Sequence, residues 1–138
     1  MKVFLLYAKA QNLKAQAAEI FADETANKGE LARDEVYPPL GISILASWLE
    51  QKGHDVRLMD DSIEEIEDIK KNVEWSEVVG ISSLTPNARR ARELGLMIKE
   101  EFDKPVIMGG PHPTTNPEFF LESGACDITV QGEGDYTL

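Results

Sequence analysis

Short apolar runs alternate with amphipathic segments along the chain. The apolar runs predict five β-strands, at residues 2–8, 55–60, 77–84 and 105–110 and within 127–134, a segment that also includes the loop after the fifth strand. Between them, apolar residues recur at helical spacing, which predicts helices at residues 38–53, 62–72, 86–102 and 117–124. The helix over 62–72 is expected to begin at a serine cap, Ser62. The strand runs are apolar at nearly every position, which is typical of parallel sheets covered by helices on both faces.

This alternation predicts an α/β fold with a doubly wound, open, parallel sheet of five strands. The flavodoxin-like (Rossmann-like) strand order 2-1-3-4-5 is the one we expect, on the basis of the fold class. In such sheets ligands bind at the carboxyl ends of the strands, beside the switch in strand order. The loops that follow the strands are therefore the place to search for function.

Two regions depart from the regular alternation. Residues 9–36 form a connection far longer than the usual βα loop of about 2–6 residues. We expect a short helix around 12–22 and a role for the segment as a lid or partner surface. The last residues, 132–138, resemble a loop that leads into a further helix. We therefore expect one domain over residues 1–138, belonging to a longer protein.

Composition excludes several classes of function. The formal charge is −11, from 25 acidic and 14 basic residues, and it opposes binding to nucleic acid or to anionic membrane surfaces. No apolar run reaches the length of about 18 residues that a membrane span requires. The single cysteine, Cys126, excludes an internal disulfide and a thiolate-ligated zinc or iron–sulfur site within this chain. A reducing, cytoplasmic setting is expected.

The position of each polar residue relative to the strands indicates whether it can contact a ligand. His54 and Cys126 precede strands, on the edge of the sheet opposite the ligand edge. His54 is expected to be a turn residue, and Cys126 a small core or turn residue. Asp60 and Asp61 lie at the end of the second strand. Because the first loop lacks the G-x-G-x-x-G pattern of dinucleotide binding, we interpret them as solvated turn carboxylates or a helix cap.

Two loops on the ligand edge carry the strongest signal, "SSLTPN" (82–87) and "GGPHPTTN" (109–116). They are neighbours if the third and fourth strands pair. Hydroxyls on one loop and side-chain-free backbone on the other suit a flat, partly polar ligand. The simpler alternative is that the glycines only make a turn and the serines only cap a helix.

Four segments together carry a resemblance to a known family: "YPPLGISILASWLEQKGHDVRLMD", "VVGISSLTPNARRA", "VIMGGPHPTTNPE" and "DITVQGEGD". Over residues 37–138 the chain resembles the N-terminal cobalamin-binding domain of cobalamin-dependent radical S-adenosylmethionine enzymes. Ser82-Ser83-Leu84 matches the S-x-L element of cobalamin-binding proteins, and Gly109-Gly110 matches their G-G element. Their D-x-H-x-x-G element is missing, because residues 8–13 read "AKAQNL".

The resemblance implies a cobalamin site without a protein histidine on the cobalt. The nucleotide tail of cobalamin would enter the crevice at the edge of the sheet, where Gly109 and Gly110 leave room. The cofactor-binding residues implied on this edge are Ser82, Ser83, Leu84, Thr85, Gly109, Gly110, Pro111, His112, Gly132 and Glu133. No catalytic or metal-ligating residue is predicted. For His112 we expect a polar contact to the corrin or a partner, or a hydrogen bond that stabilises its loop, rather than cobalt ligation.

The resemblance also implies what lies outside this chain. The C-x-x-x-C-x-x-C motif of radical enzymes is absent. The 4Fe–4S cluster and S-adenosylmethionine would therefore belong to a C-terminal catalytic domain, of methyltransferase or anaerobic porphyrin cyclase type, that is also the expected partner. Two alternatives remain open: a cofactor-free docking or regulatory domain of the same fold, and a flavodoxin-like binder of another small ligand such as flavin.

Overall fold

The computed structural model describes residues 1–10 and 39–134. Its strands are β1 (Lys2–Tyr7), β2 (Asp55–Asp60), β3 (Val78–Ser82), β4 (Val106–Gly109) and β5 (Ile128–Thr129). Its helices are α1 (Leu40–Gln51), α2 (Ile66–Trp75), α3 (Ala88–Phe102), α4 (Pro111–Thr115) and α5 (Glu118–Glu122). A single turn of 3-10 helix, Thr85–Asn87, leads into α3.

The sheet confirms the predicted fold. Its five strands are parallel throughout and lie in the order β2-β1-β3-β4-β5. The switch in strand order therefore falls between β1 and β3, as in other doubly wound sheets. Leu5 of β1 pairs with Gly80 of β3, and Gly80 pairs with Ile107 of β4.

Two local predictions differ from the structure. The second predicted helix begins at Ile66 rather than at a Ser62 cap, because Asp60 accepts a hydrogen bond from the Ser62 N–H at 2.8 Å and closes a turn first. The segment after β4 contains the short helix α4, which the glycines and prolines of its sequence conceal. The segment predicted as a strand with its loop, 127–134, is found as β5, Ile128–Thr129, followed by a loop. The helix expected around 12–22 lies outside the described residues.

One face of the sheet, here called the closed face, is packed against α2, α3 and α5. The strands contribute large apolar side chains that are wholly buried, such as Phe4, Leu6 and Met108. The helices pack against them with Ile69, Val73, Leu94, Ile98 and Phe120. This face holds the larger part of the hydrophobic core, and burial on this scale stabilises the fold.

The other face, here called the open face, is covered unevenly. α1 packs Ile42 and Leu49 against Val3 and Leu5 of β1, beside β2. A groove remains next to α1, over the carboxyl-terminal halves of β3 and β4. No helix among the described residues is long and apolar enough to cross a membrane.

Candidate functional site

The groove lies at the carboxyl ends of the strands and has a volume of about 750 Å³. Its floor consists of two rows of residues that run across β1, β3 and β4. The outer row, at the mouth of the groove, is Tyr7, Ser82 and Gly109. The inner row, two residues earlier on each strand, is Leu5, Gly80 and Ile107. Such a concave, largely apolar space at the switch in strand order is where open α/β sheets bind ligands.

Gly109 leaves open space in the groove at the outer row. A Cβ placed on Gly109 would have Val130 Cβ, at 4.0 Å, as its nearest neighbour, so a side chain there would extend into free space. The fold does not require glycine at this position. Its missing side chain instead keeps the groove open.

Gly110 is a glycine for a different reason. Its φ of +103° lies in a region that residues with side chains rarely adopt. A Cβ there would lie 2.8 Å from the Ser83 carbonyl oxygen. The turn after β4 therefore needs glycine for its own geometry, whether or not a ligand is present.

The structure brings seven of the ten sequence-predicted site residues to the groove, and they share its mouth. They are Ser82, Leu84, Gly109, Gly110, Pro111, Gly132 and Glu133. The other three, Ser83, Thr85 and His112, do not line it. Both glycine-containing loops and the loop after β3 thus converge, as their places after neighbouring strands predict.

Ser83 is a structural residue of the loop after β3. Its side chain is wholly buried, with the hydroxyl 3.1 Å from the Leu84 carbonyl and 3.2 Å from Asn87 Oδ1. Its backbone N–H donates to the Gly109 carbonyl at 2.9 Å. Ser83 therefore connects the loops after β3 and β4, and Ser82 rather than Ser83 lines the groove.

His112 lies beside the groove, packed among other side chains. Its Nδ1 is 3.3 Å from Thr85 Oγ1, and its ring meets Phe119 and Phe120 edge-on at centroid distances of 5.1 and 5.6 Å. Its backbone N–H donates to the Ser83 carbonyl at 3.1 Å. His112 and Thr85 therefore connect the loops after β3 and β4 from outside the groove.

Asn87 is a buried residue that sequence reasoning missed. Its Oδ1 accepts the Leu84 N–H at 2.7 Å, and its Nδ2 donates to the Ala8 carbonyl at 2.7 Å. It thereby joins the loop after β3 to the end of β1. An asparagine just before a helix is a local signal for a cap, but nothing local indicates that the amide reaches a residue 79 positions away.

The interpretation of Asp61 as a solvated turn residue is wrong. Its side chain is only 5% exposed, and both carboxylate oxygens accept hydrogen bonds from the Arg90 guanidinium of α3 at 2.8 Å. The Lys9 N–H donates to Asp61 at 3.1 Å. Burial raises the pKa of this carboxyl, but the bonds from Arg90 and Lys9 outweigh it and hold the pKa below its ordinary value. Asp60 forms the turn cap that was expected.

The two residues assigned to the opposite edge are found there. His54 lies in the turn between α1 and β2. Cys126 lies between α5 and β5, in the core of the closed face. Burial, and secondarily the charge of Asp127, raises the pKa of the Cys126 thiol to about 11. The thiol is therefore protonated at neutral pH and is not a nucleophile.

The electrostatics of the groove are simple. None of its described lining residues is basic, and its ionisable side chains are Tyr7 and Glu133. Burial, together with the charge of Asp60, raises the pKa of the Tyr7 phenol, so it stays neutral. A ligand that depends on paired cations, such as a phosphate monoester, finds no such pair among the described residues that line the groove.

Comparison with known proteins agrees with this geometry. The B12 binding domain family matches residues 31–138. A Pyrococcus horikoshii protein named as an uncharacterized methyltransferase is 35% identical over 107 residues, which cover 73% of this chain and 23% of that protein. The chain thus spans about a quarter of the length of this relative. On the family match, which takes in both loops of the groove, this chain belongs to the B12 binding domain family.

Proposed function

We propose that this chain is a cobalamin-binding domain that holds the nucleotide tail of the cofactor in the groove and presents the corrin to a catalytic domain of the same protein. The observation that carries the proposal is the open space over Gly109, in a member of the B12 binding domain family. A side chain at this position would occupy the groove without disturbing the fold.

The residues of the groove fit the tail of cobalamin. The tail is elongated and ends in a flat base, and the floor carries no side chain at Gly109, where the nearest neighbour of an added Cβ is Val130 Cβ at 4.0 Å. Ser82 adds a hydroxyl at the mouth, and no other described residue shares a hydrogen bond with it. The walls, from Leu45 on one side to Val130 on the other, are apolar.

The cobalt would carry no protein imidazole. The chain has two histidines, and both lie among the described residues. His54 is at the opposite edge of the sheet, and the ring of His112 is packed against Phe119 and Phe120, outside the groove lining. The resemblance to the radical-enzyme branch supports the same assignment.

The catalytic partner that we propose is a radical S-adenosylmethionine domain, which would hold the 4Fe–4S cluster. The relative from Pyrococcus horikoshii supports a larger parent protein, because the match covers only 23% of it, and its name supports methyl transfer. Bound cobalamin supplies a cobalt centre that can carry a methyl group. The role of this chain is to bind and orient that centre.

A titration tests the proposal. Hydroxocobalamin is added to the purified chain, and the visible spectrum and the heat of binding are followed together. We expect saturable, one-to-one binding with a spectrum that shows no imidazole ligand from the protein. Absence of saturable binding, by this chain and by the full-length protein, would refute the proposal.

A second candidate is a docking domain that keeps the fold without the cofactor. Two large apolar residues on the rim of the groove favour it, since Leu40 is 69% exposed and Ile44 is 57% exposed. This candidate predicts tight association with the catalytic domain and no bound corrin. Stoichiometric cobalamin in the full-length protein, measured after denaturation, would exclude it.

Flavin is the remaining alternative, and the groove argues against it. Flavodoxin-type sites need a cradle of donors for a phosphate monoester, whereas the described lining has no basic side chain and includes the carboxylate of Glu133. Flavin mononucleotide therefore serves as the negative control in the titration. Saturable binding of flavin, with none of cobalamin, would reverse the assignment.

A further inference from the structure

The chemistry of the groove changes with depth. The polar side chains among its described lining residues are Tyr7, Ser82, Thr114, Thr115 and Glu133. Tyr7 and Ser82 belong to the outer row, and the other three come from α4 and the loop after β5, which border the mouth. The groove is therefore polar at its mouth.

The inner row is apolar. It consists of Leu5, Gly80 and Ile107, with Leu45 of α1 beside it. The three strands that carry this row lie inside the sheet, with a strand on each side, so ladder hydrogen bonds occupy their backbone groups. A ligand atom seated on the inner row finds no hydrogen-bond partner among the described residues of that row.

The hydroxyl of Ser82 belongs to the outer row and not to the inner row. Ser82 is two residues beyond Gly80 on the same strand, which separates the two rows by about 6–7 Å. A hydrogen bond requires donor and acceptor within about 3.2 Å. The Thr114 hydroxyl is already engaged, because it donates to the Gly110 carbonyl at 2.9 Å and accepts the Gly132 N–H at 3.0 Å.

From this gradient we infer that the groove selects among corrinoids by the base at the end of the nucleotide tail. It accepts a benzimidazole, whose outer edge carries only carbon and hydrogen, and discriminates against adenine. The adenine amino group and ring nitrogens would lie on the inner row without partners, and an unsatisfied buried polar group is costly. This selectivity rests on the proposed function, because it presumes that the tail enters the groove.

The test is a comparison of affinities by calorimetry on the wild-type chain. Three probes are used: cobalamin, its analogue with an adenine base, and cobinamide, which has no nucleotide tail. We expect the adenine analogue to bind about tenfold to a hundredfold more weakly than cobalamin. Cobinamide should also bind more weakly than cobalamin, because it leaves the apolar inner row unfilled.

The outcomes separate the two proposals. Equal affinity for cobalamin and the adenine analogue, or tighter binding of the analogue, would overturn the selectivity while leaving cobalamin binding in place. Equal affinity for cobalamin and cobinamide would also overturn it, because the tail would then contribute nothing. If no probe binds to this chain or to the full-length protein, the proposed function itself fails and the inference falls with it.

A matched pair of variants locates the effect. Ile107→Asn places an amide on the inner row, where it can pair with a polar base, and should reduce the preference for cobalamin over the adenine analogue to less than about threefold. Ile128→Asn is the control, because Ile128 pairs with Ile107 in register but does not line the groove and is 54% exposed. It should retain the wild-type preference. A full preference in Ile107→Asn would place the base somewhere other than the inner row.

Discussion

The two faces of the sheet use the same strands for different purposes. Met108 and Gly109 are consecutive residues of β4, yet Met108 is wholly buried on the closed face while Gly109 leaves space on the open face. Ile81 and Ser82 divide in the same way on β3. Because side chains alternate across a strand, one strand can fill a core and line a binding site at once. On the closed face, large apolar side chains fill the core. On the open face, the groove exists because Gly109 has no side chain to fill it.

Truncating the closed face should have the largest effect on stability. Met108→Ala removes a wholly buried side chain that packs in the main core, and should lower the free energy of unfolding by about 3 kcal/mol. Urea denaturation measures this change. Leu121→Ala on α5, where the side chain is 40% exposed, is the control and should change stability by less than about 0.5 kcal/mol. Equal losses in the two variants would contradict the place of Met108 in the main core.

Asp61→Asn should have the next largest effect, at about 2 kcal/mol, because it leaves the Arg90 guanidinium without its buried carboxylate. The folded-state pKa of Asp61 is below its unfolded value of about 4. The stability that the ionised carboxylate adds is therefore present above that value and is lost as pH falls through the folded pKa. The variant should therefore lose less stability than the wild type on acidification.

Asp55→Asn, at the exposed opposite end of β2, controls for the loss of one charge from an acidic chain. It should change neither the stability at neutral pH nor the acid profile by a measurable amount. If Asp61→Asn behaved the same way, the buried ion pair would not stabilise the junction between β1, β2 and α3.

On the open face, Gly109→Leu should separate binding from stability. The side chain extends into the groove, so cobalamin affinity should fall by at least about tenfold, which is about 1.4 kcal/mol, while the thermal midpoint stays close to that of the wild type. Gly110→Ala is the contrast, because its positive φ and the Ser83 carbonyl at 2.8 Å oppose a side chain and should lower stability. Full affinity in Gly109→Leu would refute the role of the outer row.

His112→Ala should have the smallest effect. Loss of the contact to Thr85 and of the packing on Phe119 should lower stability by about 1 kcal/mol, and the visible spectrum of bound cobalamin should not change. His54→Ala, on the opposite edge of the sheet, is the matched histidine control. A spectral change specific to His112→Ala, marking loss of a nitrogen ligand, would contradict a cobalt without a protein imidazole.

The sequence predicts those features that local periodicity determines. Runs such as residues 3–7 are apolar for as long as a strand lasts, so the pattern predicts the strands and their parallel arrangement correctly. Ser82 and Gly109 each end one of two neighbouring strands, and the rule that ligands bind at the carboxyl edge of such sheets is enough to place them together.

The features that sequence reasoning misses depend on contacts between distant segments. Asp61 looks like a turn residue because Arg90, which makes it a buried ion pair, lies 29 residues away. His112 follows the glycine pair and resembles a ligand, but the phenylalanines of α5 decide where its ring packs. Gly109 and Gly110 are consecutive glycines that the sequence does not distinguish. Only the backbone geometry shows that Gly109 keeps the groove open and that Gly110 is needed for the turn.

The most direct test of the account is to map the binding site by NMR. The amide resonances of the labelled chain are followed while hydroxocobalamin is added. The account predicts that the largest shifts occur at Gly80, Ser82 and Gly109 of the groove floor, with small changes at Leu94 and Ile98 of the closed face. Saturable binding with its largest shifts on the closed face, or at the opposite edge near His54, would contradict the central claim that the cofactor occupies the groove.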